Sequence, residues 1–445
     1  MSLVGAGRDP SSIFSQETLL HIFKHLSACD LTSLERVSRK WQRVSRSGYV
    51  WRMQYAKAFS LPRLKRTYEL SRRKKCSWRN LFKEHSNWSR GRCIERVQSL
   101  YGDHNEKPYF VTRIWGDFVY HATVSGFKTF ALVDGQLRLK TGYNWSSLFL
   151  GYRLPSPCLP SCMAKCRNLI LMAFEDSSFV LFRLRSNERL SVCHIQKLPN
   201  GSILKQVSFA EDYIVGYTNK KELMFWYVRP TKKKEEMSDS QVLRFLGQLF
   251  ISYAEPVAIR LSVRHIGTHV FAIVVHSEYV YSCGWCLGVQ HFLLTPMRFN
   301  PSTFVPRDLN DRVYTKTPPT SISISIPYIL ASFADNSMVL LDIGYVERSA
   351  HLYMKNETRL MGQYCNVKFA KILDSERIVS ASYSCADVCL WDLCSSELSS
   401  LQPVHIRTSP LPSVSHSTAV VDLGLIQSFA VLALDDGRFL IYDFS

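Results

Sequence analysis

The chain has 445 residues, 46% of them hydrophobic and 21% charged, which is globular composition rather than disordered, collagenous or coiled-coil. No apolar run approaches the ~18 residues that cross a membrane; the longest, Val270–Val275 and Phe429–Leu434, are strand-sized. The net charge of +18 is lopsided: residues 1–96 hold 21 Lys and Arg against 7 Asp and Glu, so the N-terminal fifth has a different job from the rest.

The first residues lack the basic start and apolar core of a secretory leader, so an intracellular, cytoplasmic or nuclear, setting is expected. The 13 cysteines then read as reduced, mostly buried thiols.

After a tail over residues 1–12, residues 13–59 read as a helical module. Ser15 is a candidate N-cap with Glu17 in the first turn, followed by Leu19, Leu20, Ile22, Phe23 and Leu26 at helical spacing. Ser27-Ala28-Cys29 reads as a turn and Asp30 as a second cap, before Leu31, Leu34, Val37 and Trp41. Ser38 is a third cap candidate, Gly48 a break, and Trp51 the start of a further helix. A unit of ~45 residues buries too little to stand alone, so some of its apolar side chains should face either a partner or the rest of the chain.

This segment resembles an F-box. The carriers are Phe14-Ser15-Gln16-Glu17-Thr18-Leu19-Leu20-His21-Ile22-Phe23-Lys24-His25-Leu26, then Asp30-Leu31, Val37-Ser38-Arg39-Lys40-Trp41 and Val50-Trp51-Arg52. The resemblance implies docking onto the Skp-type adaptor of a cullin-RING ubiquitin ligase through Phe14, Leu19, Leu20, Phe23, Leu26, Leu31, Leu34, Val37, Trp41, Val44 and Trp51. Two departures stand out: Phe14-Ser15 where the family has Leu-Pro, and Ser38 where it often has Cys. The first removes a Pro that presets helix one.

Residues 60–91 form a basic connector in which Arg63, Lys65, Arg66, Arg72, Arg73, Lys74, Lys75, Arg79, Lys83 and Arg90 alternate with Leu64, Tyr68, Leu70, Trp78, Leu81, Phe82 and Trp88. Cations interleaved with aromatics suit single-stranded nucleic acid, but they equally suit linker helices with one solvated and one buried face. The absence of an RNP-like, zinc-finger or helix-turn-helix pattern favours the second reading. Asn87-Trp88-Ser89-Arg90-Gly91 is similar to the junction that leads into the propeller of F-box proteins with WD repeats.

From residue 92 to 445 helical signals give way to seven hairpins. Thr129–Val133 turns at Asp134-Gly135 into Gln136–Leu139, and Leu169–Phe174 turns through Glu175–Ser178 into Phe179–Phe182. Tyr213–Tyr217 turns near Asn219 into Leu223–Val228, and Val270–Val275 turns at His276-Ser277-Glu278 into Tyr279–Tyr281. Tyr328–Phe333 turns at Asp335-Asn336 into Met338–Leu341, Ile378–Ser382 near Ala386-Asp387 into Val388–Trp391, and Phe429–Leu434 at Asp435-Asp436-Gly437 into Arg438–Tyr442. The turns recur every 42 to 59 residues, the length of a four-stranded propeller blade with loop insertions. The expected fold is therefore an all-β seven-bladed, WD-repeat-like propeller behind a small all-α module. With the chain ending after a third strand, a front strand within Arg92–Val97 is expected to complete the last blade and remove the free edge.

The repeat marks are worn: Val388-Cys389-Leu390-Trp391-Asp392 is an intact WD strand ending, but no Gly-His dipeptide occurs, so the buried polar tetrad of such blades is expected to be missing from most of them. Cys158, Cys162 and Cys166, and Cys283 with Cys286, lack the paired partners of a structural zinc site; Cys385, Cys389 and Cys394 read as core and edge residues. No phosphate-binding Gly loop, nucleophile elbow or thioester-forming Cys context is present. No cofactor or catalytic residue is therefore expected. Together these features resemble an F-box/WD-repeat substrate receptor, which would act by proximity on a protein substrate that the sequence does not identify. A nucleic-acid-binding protein and a propeller scaffold outside ubiquitination are the alternatives. Arg138, Arg183, Arg229, Arg377 and Arg438 have no assignable face without blade registers.

Overall fold

The computed structural model describes residues 13–59, 77–100, 110–152, 159–185, 189–229, 243–250, 258–280, 284–294, 307–308, 313–373, 376–382, 385, 387–393, 401–408 and 418–445. Residues 63–75, 230–236, 304–306 and 309–312, and Cys158, Cys283 and Cys394 lie outside them. Two compact units result, one built on the helices before Ile94 and one on the strands from Ile94 to Asp443.

The helical unit contains α1 (Gln16–Phe23), α2 (Ala28–Leu34), α3 (Arg39–Ser45), α4 (Gly48–Ala58) and α5 (Trp78–Ser89). Ser15 caps α1 by accepting from the Thr18 N–H, and Ser38 caps α3 by accepting from that of Trp41. The second cap differs from expectation. Ser27 is the N-cap of α2 and Asp30 sits three residues in, closing a reciprocal capping box at 3.1 and 3.2 Å. Asp30 therefore reads as a cap in the sequence because it is half of one. Gly48 does not break the pattern but opens α4.

The strand unit is a seven-bladed propeller. Blade one is β2 (Phe110–Trp115), β3 (Phe118–Thr123), β4 (Gly126–Val133) and β5 (Gln136–Asn144), followed by the one-turn helix α6 (Trp145–Leu148). Blade two is β6 (Pro160–Cys166), β7 (Leu169–Phe174), β8 (Ser178–Leu184) and β9 (Leu190–Lys197); blade three is β10 (Leu204–Ala210), β11 (Tyr213–Thr218), β12 (Glu222–Val228) and β13 (Leu243–Phe250). Blade four is β14 (Ala258–Ile266), β15 (His269–Val280) and β16 (Gly284–Leu294), with β17 (Arg307–Asp308) and β18 (Val313–Thr315) both on β16. Blade five is β19 (Pro319–Ser325), β20 (Tyr328–Phe333), β21 (Met338–Val346) and β22 (His351–Leu360); blade six is β23 (Val367–Ile372), β24 (Arg377–Ser382), β25 (Val388–Asp392) and β26 (Val404–Arg407). Blade seven takes β27 (Val420–Ile426), β28 (Phe429–Leu434) and β29 (Arg438–Asp443) from the chain end and β1 (Ile94–Ser99) from the front. β1 pairs antiparallel with β29 from Ile94↔Asp443 to Ser99↔Arg438. The first strands of successive blades touch around the ring, and β27 meets β2 to close it.

Two hairpins fall elsewhere than their turn residues suggest. Asp134-Gly135 joins the third and fourth strands of blade one, whereas the turns of blades two, three, five, six and seven join second to third; the matching turn in blade one is Val124-Ser125. In blade four, His276-Ser277-Glu278 is strand, not turn: His276 pairs with Gly288 and Ser277 with Leu287. Gly288 makes this possible, since a Cβ there would lie 2.6 Å from the His276 ring.

Apolar clusters straddle neighbouring blades, as Phe179 and Leu181 of blade two do with Ile214, Met224 and Trp226 of blade three. Side chains on the inner strands add polar stitches between blades. Ser208 accepts from the Val263 N–H at 2.9 Å, Ser321 from Ala370 at 2.8 Å, Ser323 from Ile372 at 3.1 Å and Asp422 from Ile114 at 2.8 Å.

Blade six keeps a polar tetrad in altered form. Trp391 Nε1 donates to Ser380 Oγ at 2.8 Å, Ser380 to Gln363 Oε1 at 2.7 Å, and Gln363 Nε2 to the Asp387 carbonyl at 3.2 Å. Gly362-Gln363 stands where a Gly-His dipeptide was sought, and an amide, like an imidazole, can accept and donate at once.

Candidate functional site

The helical module closes around Leu19, Phe23, Leu31, Val44, Val50 and Trp51, each 3% exposed or less. Helices α4 and α5 supply part of this core: Trp78 and Phe82 pack against it, and the Trp51 and Phe82 rings lie 5.4 Å apart. Polar anchors set the angles between helices. Trp51 Nε1 donates to the Ser45 carbonyl at 2.7 Å and Gln54 to that of Leu26 at 2.8 Å. Glu35 pairs with both Arg46 and Arg79 at 2.9 Å. Arg79, counted in the basic connector, thus holds the module together.

The structure sorts the eleven adaptor-face candidates. Leu19, Phe23, Leu31, Val44 and Trp51 are enclosed in the module's own core. Leu20, Leu26, Leu34 and Trp41 are half-buried at its margin, while Phe14 at 41% and Val37 at 57% face outward. Ile22, outside that set, is 42% exposed. It is three residues after Leu19 on α1 yet outside the core that encloses Leu19 and Phe23, a distinction that spacing within one eight-residue helix does not reveal. The indole N–H of Trp41 is buried and has no acceptor among the described residues. In the junction segment, Asn87 Nδ2 donates to the Phe444 carbonyl at 3.0 Å and the Trp88 ring packs at a tilt against Phe444 with centroids 4.7 Å apart, inside the same unit.

Of the described cysteines in the propeller, Cys162, Cys193, Cys286, Cys385 and Cys389 are buried. Cys162 donates to the Leu204 carbonyl and Cys166 to that of Glu211, both at 3.4 Å. Asp387, Cys389 and His405 bring three metal-type donors together. The carboxylate is already occupied: Oδ1 takes the Cys389 thiol at 3.2 Å and His405 Nδ1 at 2.8 Å, while Oδ2 takes the Tyr364 and Cys365 N–H groups. Burial, then Asp387, pushes the Cys389 thiol up, so it stays protonated as a donor. This is a turn-capping network.

A second set converges in the propeller channel. A cavity of about 340 Å³ is lined by Arg113 of blade one, Arg260 of blade four, Lys371 of blade six and Asp422 of blade seven, with Ser321 and Ser323 of blade five. Lys371 Nζ lies 2.6 Å from Asp422 Oδ1. Burial alone would raise the Asp422 carboxyl, but Lys371 and Arg113 hold it below the usual carboxylate range. The channel arginines are thus Arg113 and Arg260; Arg138 and Arg438 pair with Asp134 and Asp436 instead.

A capped helical docking module and a closed seven-bladed ring of worn WD-type blades define an F-box propeller protein. A family model for the β-propeller of F-box protein pof12 matches residues 156–302 and 297–415, and an F-box-like model matches residues 16–57. The chain belongs to the family of F-box proteins with a pof12-type propeller. It is 29% identical over 458 aligned residues to F-box protein pof12 of Schizosaccharomyces pombe (strain 972 / ATCC 24843), covering 98% of each chain. Among solved structures it is similar to U3-55K (10% identity, TM-score 0.50, 78% of this chain and 98% of that one). It is also similar to the RRP9 WD40 repeats (10%, TM-score 0.49, 78% and 97%). At 10% identity, the likeness to U3-55K shows the fold alone.

Proposed function

We propose that this chain is the substrate-recognition subunit of a Skp–cullin–F-box ubiquitin ligase. Residues 13–59 dock the Skp-type adaptor, 60–91 act as linker, and 92–445 hold a protein substrate. The chain supplies no chemistry of its own: it raises the effective concentration of an acceptor lysine near the ubiquitin carrier, inside the cell. The observation that carries this reading is the apolar rim the module leaves open, Phe14, Ile22 and Val37, around a family-matched F-box. Docking there would also offer the Trp41 indole an acceptor. We assign the adaptor face to Phe14, Leu20, Ile22, Leu26, Leu34, Val37 and Trp41; Leu19, Phe23, Leu31, Val44 and Trp51 shape it from beneath. Affinity purification of the full chain and of a Phe14→Ala/Val37→Glu variant tests this. Adaptor and cullin should be captured by the first and lost from the second, while substrate candidates accumulate on the variant. Capture of nuclease-sensitive partners in place of adaptor and cullin would overturn it.

A further inference from the structure

The channel charges do not balance. Three cations, Arg113, Arg260 and Lys371, line the same cavity as one carboxylate, Asp422. Lys371 spends its ammonium on Asp422 and on the Leu423 carbonyl, and the second oxygen of Asp422 takes the Ile114 N–H. Among the described residues, Arg113 bonds only the carbonyl of its own neighbour Thr112, at 2.9 Å, and neither Arg113 nor Arg260 has an ion-pair partner. Arg113 and Arg260 line the same space; burial and then Arg113 pull the Arg260 guanidinium below its ordinary value, against a smaller opposing pull from Asp422. A concentration of like charge in a half-buried channel favours entry of a counter-charge.

We propose that the propeller channel is a binding site for a small phosphate-type dianion, either inorganic phosphate or the monoester group of a small metabolite. The two guanidiniums, without an ion-pair partner among the described residues, supply a charge of plus two and, beyond the Arg113–Thr112 bond, nine N–H donors in planar forks, the geometry that matches phosphate oxygens. Ser323 Oγ accepts from the Ile372 N–H and so keeps its own hydrogen to donate to an anion. The cavity volume of about 340 Å³ lies at the small end of ligand sites, which suits an anion of a few atoms. The residues come from blades separated by up to 309 positions, Arg113 to Asp422, so the site exists only in the closed ring. It does not depend on adaptor docking.

The test is titration of the full chain with sodium phosphate and, separately, with glycerol 3-phosphate. Sodium chloride is adjusted to hold ionic strength constant, and binding is read by melting temperature and by isothermal calorimetry. A saturable rise with both probes means that the phosphate group alone is recognised; a rise with the monoester only means that a small phosphometabolite is required. Arg260→Gln should weaken binding at least ten-fold while leaving adaptor capture unchanged; should that variant fail to fold, Arg113→Gln carries the same expectation. No saturable response to either probe in the wild-type chain, or full affinity in the arginine variants, would overturn the proposal.

Discussion

Ser380→Ala in blade six should destabilise the propeller far more than the loss of one hydroxyl suggests. Ser380 is fully buried and sits between Trp391 and Gln363, at 1% and 5% exposure. It accepts from the indole at 2.8 Å and donates to the amide at 2.7 Å. Removing Oγ orphans a buried donor and a buried acceptor at once, and each orphan costs about 1–3 kcal/mol. The expected loss is therefore ~2–6 kcal/mol, a large part of a stability of ~5–15 kcal/mol. Urea unfolding of the full chain, followed by tryptophan fluorescence, should show the propeller midpoint falling with unchanged slope. The double variant with Trp391→Phe should cost less than the sum of the singles, because the donor that Ser380→Ala strands is then gone. A Ser380→Ala loss under ~0.5 kcal/mol, as for ordinary surface changes, would refute the claim that this altered tetrad is a structural element.

Deleting residues 400–445 removes β26 of blade six and three strands of blade seven, and leaves β1 without β29; the remainder should aggregate or be degraded, and a soluble, cooperatively unfolding 92–399 fragment would contradict ring closure. Iodoacetamide at pH 8 should label exposed Cys29 and Cys365 in the native protein. Cys162 and Cys385, whose thiols burial pushes up to about 12, should react only after unfolding, as peptide mapping would show. His121 is held at about 4 by burial and then by Lys128, against an unfolded value of 6.5. The unfolded chain therefore binds this proton first, and stability should fall by up to about 3 kcal/mol as pH drops from 6.5 to 4. Melting curves of His121→Asn should show a correspondingly shallower decline.

The hairpin periodicity was readable because blade strands buried on both faces are near-continuous apolar runs, as in Leu169–Phe174, bounded by turn residues. Where the reading slipped, a local signal was outweighed by tertiary context. Asp134-Gly135 is the strongest turn dipeptide of blade one, with φ of +53° and +72°, yet it closes a different pair of strands. His276 and Ser277 look like loop residues, but they are 3% and 1% exposed within a 12-residue strand, given room by Gly288. The F-box was legible as an ordered motif, while the division between its inner and outer apolar residues required α4 and α5, whose Val50, Trp51 and Phe82 complete the core. The channel site left no local trace. Arg113, Arg260, Lys371 and Asp422 are isolated charges on four inner strands, and only the closing of the ring brings them together.

The most direct test of the account is binding of the purified full chain to a purified Skp-type adaptor, measured by calorimetry. A one-to-one complex should form and be lost, or weakened at least a hundred-fold, in Val37→Glu, whose melting temperature should be unchanged because Val37 is exposed. Absence of a complex with the wild-type chain, or equal affinity of the variant, would contradict it.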